Sequence, residues 1–156
     1  MALSPSIVCN NILQRAFSEN IPVTPMKLQK LLYFVSCEYV KETNISMLSE
    51  DFSVWQYGPV LPSVYYEFQS FRGNNITKYA QDAEGNSFAY NEESSLPLKR
   101  AIDRVWAAFK NMDGVFLSRI THEDGSGWSR AFERQENKIS KDDMKADDSY
   151  AKYILD

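Results

Sequence analysis

The segment from Pro25 through Lys41 reads as a helix that is apolar on two opposite faces, and such a helix is stable only when other elements pack on both sides of it. With residues about 100° apart around the axis, Leu28, Leu31, Leu32, Val35 and Tyr39 fall on one face, and Met26, Tyr33, Cys37 and Val40 on the other. Gln29 and Ser36 divide the faces along one edge, and Lys27, Lys30, Glu38 and Lys41 along the other. Thr24-Pro25 opens the helix with a capping hydroxyl and a proline at the first helical position. The expected fold is mainly α within the α+β class: a helical bundle around this central helix, with a small antiparallel β-sheet.

The flanking segments fit that plan. Residues 6 to 19 carry Cys9, Ile12, Leu13, Ala16 and Phe17 at helical spacing, with Asn10, Asn11, Gln14 and Arg15 on the other side, which predicts a peripheral amphipathic helix. Residues 52 to 57 turn β-prone and stop at Gly58-Pro59. Pro62 starts a short helix whose buried side is Val64, Tyr65, Phe68 and Phe71, ended by Arg72-Gly73-Asn74-Asn75. Two short strands around Glu84-Gly85-Asn86, within residues 76 to 90, would complete a three-stranded sheet with residues 52 to 57. Leu98, Ala101, Ile102, Val105, Trp106, Phe109 and Met112 stripe a long helix over 95 to 112. Asp113 caps a helix over 115 to 121, and a helical turn follows over 128 to 133. Ser140-Lys141-Asp142-Asp143 resembles a capping box for a last, acidic helix running to about Tyr153. No repeat, linker or low-complexity stretch divides the chain, so residues 1 to 156 are expected to form one domain.

Composition narrows the function. With 156 residues, 44% of them hydrophobic, and 9 Phe, 9 Tyr and 3 Trp, the chain can bury a core without a staple. No apolar stretch approaches the ~20 residues of a membrane span, and the N-terminus has no secretory pattern, which implies a cytoplasmic protein. Cys9 and Cys37 both fall on helical segments and are expected to be free, buried thiols. Net charge is −4, and the nine acidic and six basic residues from Glu123 onward supply −3 of it. No basic stripe suited to phosphate is present, so direct nucleic-acid binding is not expected.

No motif for catalysis or metal binding emerges. His122 is the one histidine, too few for a zinc site with two distant cysteines. Cys37 would need the fold to bring His122 to it, and it lies beside Tyr33 and Val40 on an apolar face. Glu92-Glu93, Asp142-Asp143 and Asp147-Asp148 lie in polar stretches and read as solvated charge. Gly125-Ser126-Gly127 follows a helix and is no dinucleotide fingerprint. The chain is expected to be a non-enzyme without metal or cofactor. His122, near a helix end, is suited to hydrogen-bonding free carbonyls, with partner contact as the alternative.

Three ordered segments resemble one family. Met26-Lys27-Leu28-Gln29-Lys30-Leu31-Leu32-Tyr33 is similar to the signature helix of the Panacea domain, the SocA-like antitoxins. Trp55-Gln56-Tyr57-Gly58-Pro59-Val60, followed by Pro62 and Val64-Tyr65, resembles its aromatic–Gly-Pro-Val turn into a helix. Thr121-His122-Glu123 through Trp128 resembles its His-to-Trp segment, with Gly127 where many members have proline. The resemblance covers about residues 5 to 135. It implies a helical domain with a small sheet, a neighbouring toxin gene, and neutralisation of the toxin by protein–protein contact. It also implies two alternatives, an adaptor that delivers the toxin to a cytosolic protease, or a phage- or prophage-encoded regulator of a host protein.

Partner-binding residues are sought among aromatics outside the buried stripes, because tyrosine and tryptophan anchor protein interfaces. Tyr57, Tyr66 and Phe34, the last beside Lys27 and Lys30, are the candidates, with His122 as a further contact. The leucines of the signature helix and Trp55 are expected in the core. The acidic tail is a candidate for steering a basic partner.

Overall fold

The computed structural model describes residues 2–155. The helices are α1 (Pro5–Glu19), α2 (Pro25–Thr43), α3 (Pro62–Glu67), α4 (Leu96–Phe109), α5 (Gly114–Thr121), α6 (Gly127–Glu133) and α7 (Lys141–Lys145). Strands β1 (Ser53–Trp55) and β2 (Gly58–Val60) form an antiparallel hairpin in which Ser53 faces Val60 and Trp55 faces Gly58. Among the described residues no helix is long and apolar enough to cross a membrane.

The central position of α2 follows from its two apolar faces. Thr24 caps its start by accepting from the Lys27 backbone N–H, and Asn44 ends it in the left-handed conformation at φ 58°. Between those ends every residue from Lys27 to Cys37 is buried. Helices α4 and α5 cover α2 most extensively, and α7, β2, α1 and α3 complete the shell. Of the polar dividing residues Gln29, Ser36, Lys27 and Lys30 are buried as well, and for Gln29 and Lys30 the partners explain why they are polar. The Gln29 amide donates to the Leu61 carbonyl and accepts from the Leu61 N–H, so one side chain docks the end of the hairpin onto α2. Lys30 Nζ donates to the Pro59 carbonyl at 2.9 Å.

Three expectations need correction. The sheet has two strands, not three. Residues 76 to 90 contain the turn at Gly85, closed by Asp82 and Asn86, but no strand ladder. Their backbone is satisfied instead by α1. Asn10 donates to the carbonyls of Ala80 and Phe88 and accepts from the Ala80 N–H, while Asn11 pairs with both backbone groups of Tyr90. Asn10 and Asn11 are therefore buried, not solvated, and α1 is clasped on its polar side too. Buried backbone groups need partners, and two side-chain amides supply what a neighbouring strand would have given.

The third correction concerns the tail. Ser140 caps α7 as expected, accepting from the Asp143 N–H, but α7 stops at Lys145 and only a 3-10 turn, Ala151–Tyr153, follows. The helix breaks because the chain turns Asp147 and Tyr150 inward, where both are fully buried. Asp147 accepts from the Tyr33 hydroxyl and the Gly127 N–H, and the Tyr150 hydroxyl donates to Glu38. Half of the Asp147-Asp148 pair is thus a core group. Both cysteines are free and buried.

Candidate protein-binding face

The hairpin turns through Gln56-Tyr57, and Gly58 closes it at φ +112°, a conformation that strongly favours glycine. A side chain there would also collide with neighbours, since a Cβ on Gly58 would lie 2.8 Å from Thr121 Oγ1 and 3.0 Å from Lys30 Nζ. Along the turn, successive carbonyls are each engaged by a side chain from the helical shell. Trp128 Nε1 donates to Trp55 O at 2.8 Å, His122 Nε2 lies 2.9 Å from Gln56 O, and Ser118 Oγ donates to Tyr57 O at 2.9 Å. Lys30 and Gln29 then hold Pro59 and Leu61 from below. The hairpin is clamped from two sides by α2 and by the α5–α6 segment.

This clamp brings together the three segments singled out from the sequence. Gln29 and Lys30 come from the signature helix, Trp55 to Pro59 form the turn, and His122 and Trp128 come from the third segment. His122 caps α5, with Nδ1 2.7 Å from Ser118 O, so each ring nitrogen faces a backbone carbonyl. Its ring packs 4.3 Å from that of Trp128, which stacks on the exposed ring of Phe132 at 4.9 Å.

Held in this way, the turn presents an aromatic surface. Tyr57 is 63% exposed at its tip and Tyr66 65% exposed on α3, with Tyr65 between Tyr66 and the half-buried Trp55. The Trp55 and Tyr65 rings meet edge to face at 5.2 Å, and Tyr65 and Tyr66 at 5.4 Å. These rings wall a groove of roughly 730 Å³ against the start of α2, with Gln29 and Lys30 in its lining. On the other side of Tyr57 and Met26 a second hollow, roughly 570 Å³, is lined by Val115, Arg119 and His122 among others. Exposed apolar rings clustered around concave ground are unusual on a surface with nothing to bind.

The expected site residues separate into three groups. Tyr57 and Tyr66 stand exposed on this face. Lys30 and His122 belong to it from beneath: Lys30 is 1% exposed, and burial pushes its pKa down to about 7. Lys27 and Phe34 do not belong to it, and the surface patch expected at Lys27, Lys30 and Phe34 does not exist. Phe34 is fully buried against Phe109, ring centroids 4.9 Å apart, and beside Tyr150. It was expected outside the two stripes, but a helix covered on all sides has no outside. Lys27 is buried near the end of α4, its Nζ donating to the Lys110 carbonyl, and burial lowers its pKa against the opposing pull of Asp113.

Sequence reasoning missed Met26, Tyr65, Trp55 and Val115. Tyr65 had been placed with the buried side of its helix and Met26 with an apolar face of α2, yet they are 40% and 38% exposed. No local signal marks Met26 or Val115, because their exposure depends on how α2 and α5 sit beside the hairpin turn.

Comparison with known proteins agrees with this convergence of segments. The family model for the antitoxin SocA-like, Panacea domain matches residues 28–129. The curated Antitoxin SocA of Caulobacter vibrioides is 27% identical over 124 residues, covering 78% of this chain and 66% of that protein's length. No solved structure matches the chain. The match takes in the signature helix from Leu28 on, the clamped hairpin and the His122-to-Trp128 segment, and on that ground the chain belongs to the SocA-like antitoxin family, built on the Panacea domain.

Proposed function

We propose that this chain acts in the cytoplasm as an antitoxin that neutralises a toxin protein by binding it directly, through the face centred on Tyr57, and without bond-making chemistry. The observation that carries the reading is the clamped hairpin, which holds Tyr57 next to Trp55, Tyr65 and Tyr66 with its turn carbonyls already bonded. An interface whose anchors are fixed before binding loses less conformational entropy on association. Area is sufficient: a standard interface takes ~800 Å² from each partner, about a tenth of the 8271 Å² surface. A binding role is also supported by where the reactive groups sit. Cys37 is buried, and burial pushes its thiol well above the ordinary range, while the His122 ring faces carbonyls on both sides.

The test is to express the product of the adjacent gene with and without this chain and to score growth and co-purification. Tyr57→Ala with Tyr66→Ala should leave the circular dichroism spectrum unchanged. The same pair should weaken the complex by about 2 kcal/mol or more, roughly thirtyfold. Undiminished rescue and affinity in that double variant would place the interface elsewhere.

A further inference from the structure

The arginines of this chain are sorted by their partners. Arg15, Arg100, Arg104 and Arg134 are held in ion pairs, and Arg130 donates to the Gly125 carbonyl. Among the described residues the other two, Arg72 and Arg119, have no side-chain partner, and each lines one of the two hollows that meet at Tyr57. Arg119 shares its hollow with Glu123, an exposed acid that is likewise unpaired, so that side offers both charges. The aromatic groove differs. Its exposed acid, Glu67, already accepts from the Gln81 N–H, and Lys30 is buried against the Pro59 carbonyl. Arg72 is left as the exposed charge of the groove without a partner among the described residues.

Arg72 also stands where the backbone resists an arginine. Phe71 to Asn74 form a turn closed by the Asn74 N–H on the Phe71 carbonyl at 2.9 Å, with Arg72 at φ 53° and ψ −120°. Those angles belong to the first central position of a type II′ turn, which glycine usually fills because a Cβ crowds the chain there. Gly73 sits one place later, where φ is not positive and a Cβ would meet nothing within 4 Å. The strained position thus carries the long charged side chain and the relaxed one the glycine, the reverse of what turn stability favours. Strain of this kind concentrates at sites that use it.

We infer that Arg72 is a specificity-determining contact: the partner segment seated in the groove carries an aspartate or glutamate whose carboxylate pairs with the Arg72 guanidinium, while apolar neighbours pack on Trp55, Tyr65 and Tyr66. The inference deepens the reading of this face as protein-binding and rests on it. Charge complementarity selects the occupant. The one unanswered charge of an aromatic groove is a cation, and the paired N–H donors of a guanidinium match a carboxylate in a way that a neutral amide cannot.

Three peptides test this by NMR titration of the whole chain: acetyl-Phe-Glu-Phe-amide, its Gln counterpart, and acetyl-Phe-Gln-Phe with a free C-terminal carboxylate. The Glu peptide should bind about fivefold more tightly than the Gln peptide, the modest gain that an exposed ion pair allows. Its perturbed resonances should be those of Tyr65, Tyr66 and Arg72. Arg72→Gly and Arg72→Gln should each abolish the preference. Because glycine relaxes the turn, Arg72→Gly should also melt no lower than the parent and up to about 4 °C higher. Gained stability with lost preference separates a binding arginine from a structural one, and a fall in melting temperature would overturn the inference. Equal binding of the Glu and Gln peptides, no binding by the Glu peptide, shifts away from the groove, or a preference that survives in Arg72→Gly would do the same. So would tighter binding of the free acid, which would move the carboxylate to a chain end, or displacement of the Glu peptide by equimolar inorganic phosphate, which would mark a phosphate site. These outcomes are independent of the toxin experiment: a complex that ignores Tyr57 and Tyr66 defeats the proposed function, whereas a lost Glu preference defeats only the occupant.

Discussion

The Tyr33 hydroxyl donates to the Asp147 carboxylate across 2.5 Å, tying the middle of α2 to a residue 114 positions downstream. The same carboxylate oxygen accepts the Gly127 N–H at 2.9 Å, and the other oxygen accepts from the Ser149 N–H and hydroxyl. One buried acid thus joins the central helix, the start of α6 and the tail. The family match ends at residue 129, so this joint fastens a segment beyond it onto the matched region. A proline at 127 would lack the N–H that makes the second bond.

Asp147→Ala should therefore be among the more damaging single changes in the molecule. It leaves the Tyr33 hydroxyl and the Gly127 N–H buried without acceptors, at a cost of about 3 kcal/mol. Thermal melting should show a drop of about 6–12 °C for a chain of this size, with near-ultraviolet dichroism altered around Tyr33 and Tyr150. A melting temperature within about 1 °C of the parent would mean that the tail contributes little to the fold.

Gly127→Ala tests the same joint from the other side. A Cβ at 127 runs into the Tyr33 hydroxyl and presses within 3.2 Å of Ile139 Cγ2 and 3.3 Å of the Asp143 carbonyl. The substitution should cost about 2–3 kcal/mol by overpacking. Tyr33→Phe removes the atom that the new methyl meets, so the two changes combined should cost less than their sum. A double-mutant cycle by urea unfolding should give a coupling of about 1 kcal/mol or more, and strict additivity would show that the crowding lies elsewhere.

How much of this was legible beforehand depended on whether a residue's role is local. The two-faced α2, the Thr24, Asp113 and Ser140 caps, and the stripe of α4 follow from spacing and capping chemistry within a few residues, and the structure has them where expected. The roles of Asn10, Asn11, Gln29 and Asp147 were not legible, because each is polar in order to satisfy backbone or hydroxyl groups far away in sequence. Read locally, a polar residue beside an apolar stripe is assigned to solvent. The same logic misplaced Lys27, Lys30 and Phe34. The exposure of Tyr57 and Tyr66 was legible because the turn chemistry of Gly58-Pro59 and the start at Pro62 fix their surroundings locally.

The two thiols should be silent in the native state. Cys9 and Cys37 are fully buried, and burial first of all holds both well above the ordinary thiol range, with Glu67 and Asp147 respectively adding to the shift. Dithionitrobenzoate should therefore modify both cysteines only as the chain opens, at a rate that rises with urea in parallel with unfolding. Asp147→Ala, which weakens the packing beside Cys37, should speed that modification. Rapid labelling of either thiol in the native parent would contradict the packing of α1 and α2 described above.

Stability should rise on the alkaline side of neutrality, and Lys30 supplies the reason. Its pKa is about 7 in the folded chain against roughly 10.4 when unfolded. Between those values the unfolded state carries the extra proton, so raising the pH favours folding. The gain is lost again as pH falls through about 7, where folding must bury a charged amine. Lys27, lowered in the same sense by burial, adds to the slope. The opposite effect begins near 9.0, the ordinary thiol value, because Cys9 and Cys37 are raised above it, so the unfolded thiols ionise first. Tyr33 and Tyr150, also raised by burial, reinforce that reversal at higher pH. Urea unfolding should therefore show a gain of about 2 kcal/mol between about pH 7 and about pH 9, followed by a decline. Lys30→Met should be more stable than the parent at neutral pH and should flatten the rising limb, since a buried apolar chain has no proton to lose. A parent whose stability is level from pH 7 to pH 9, or a Lys30→Met variant with the same slope, would show that Lys30 keeps its charge in the fold and has a counter-ion there.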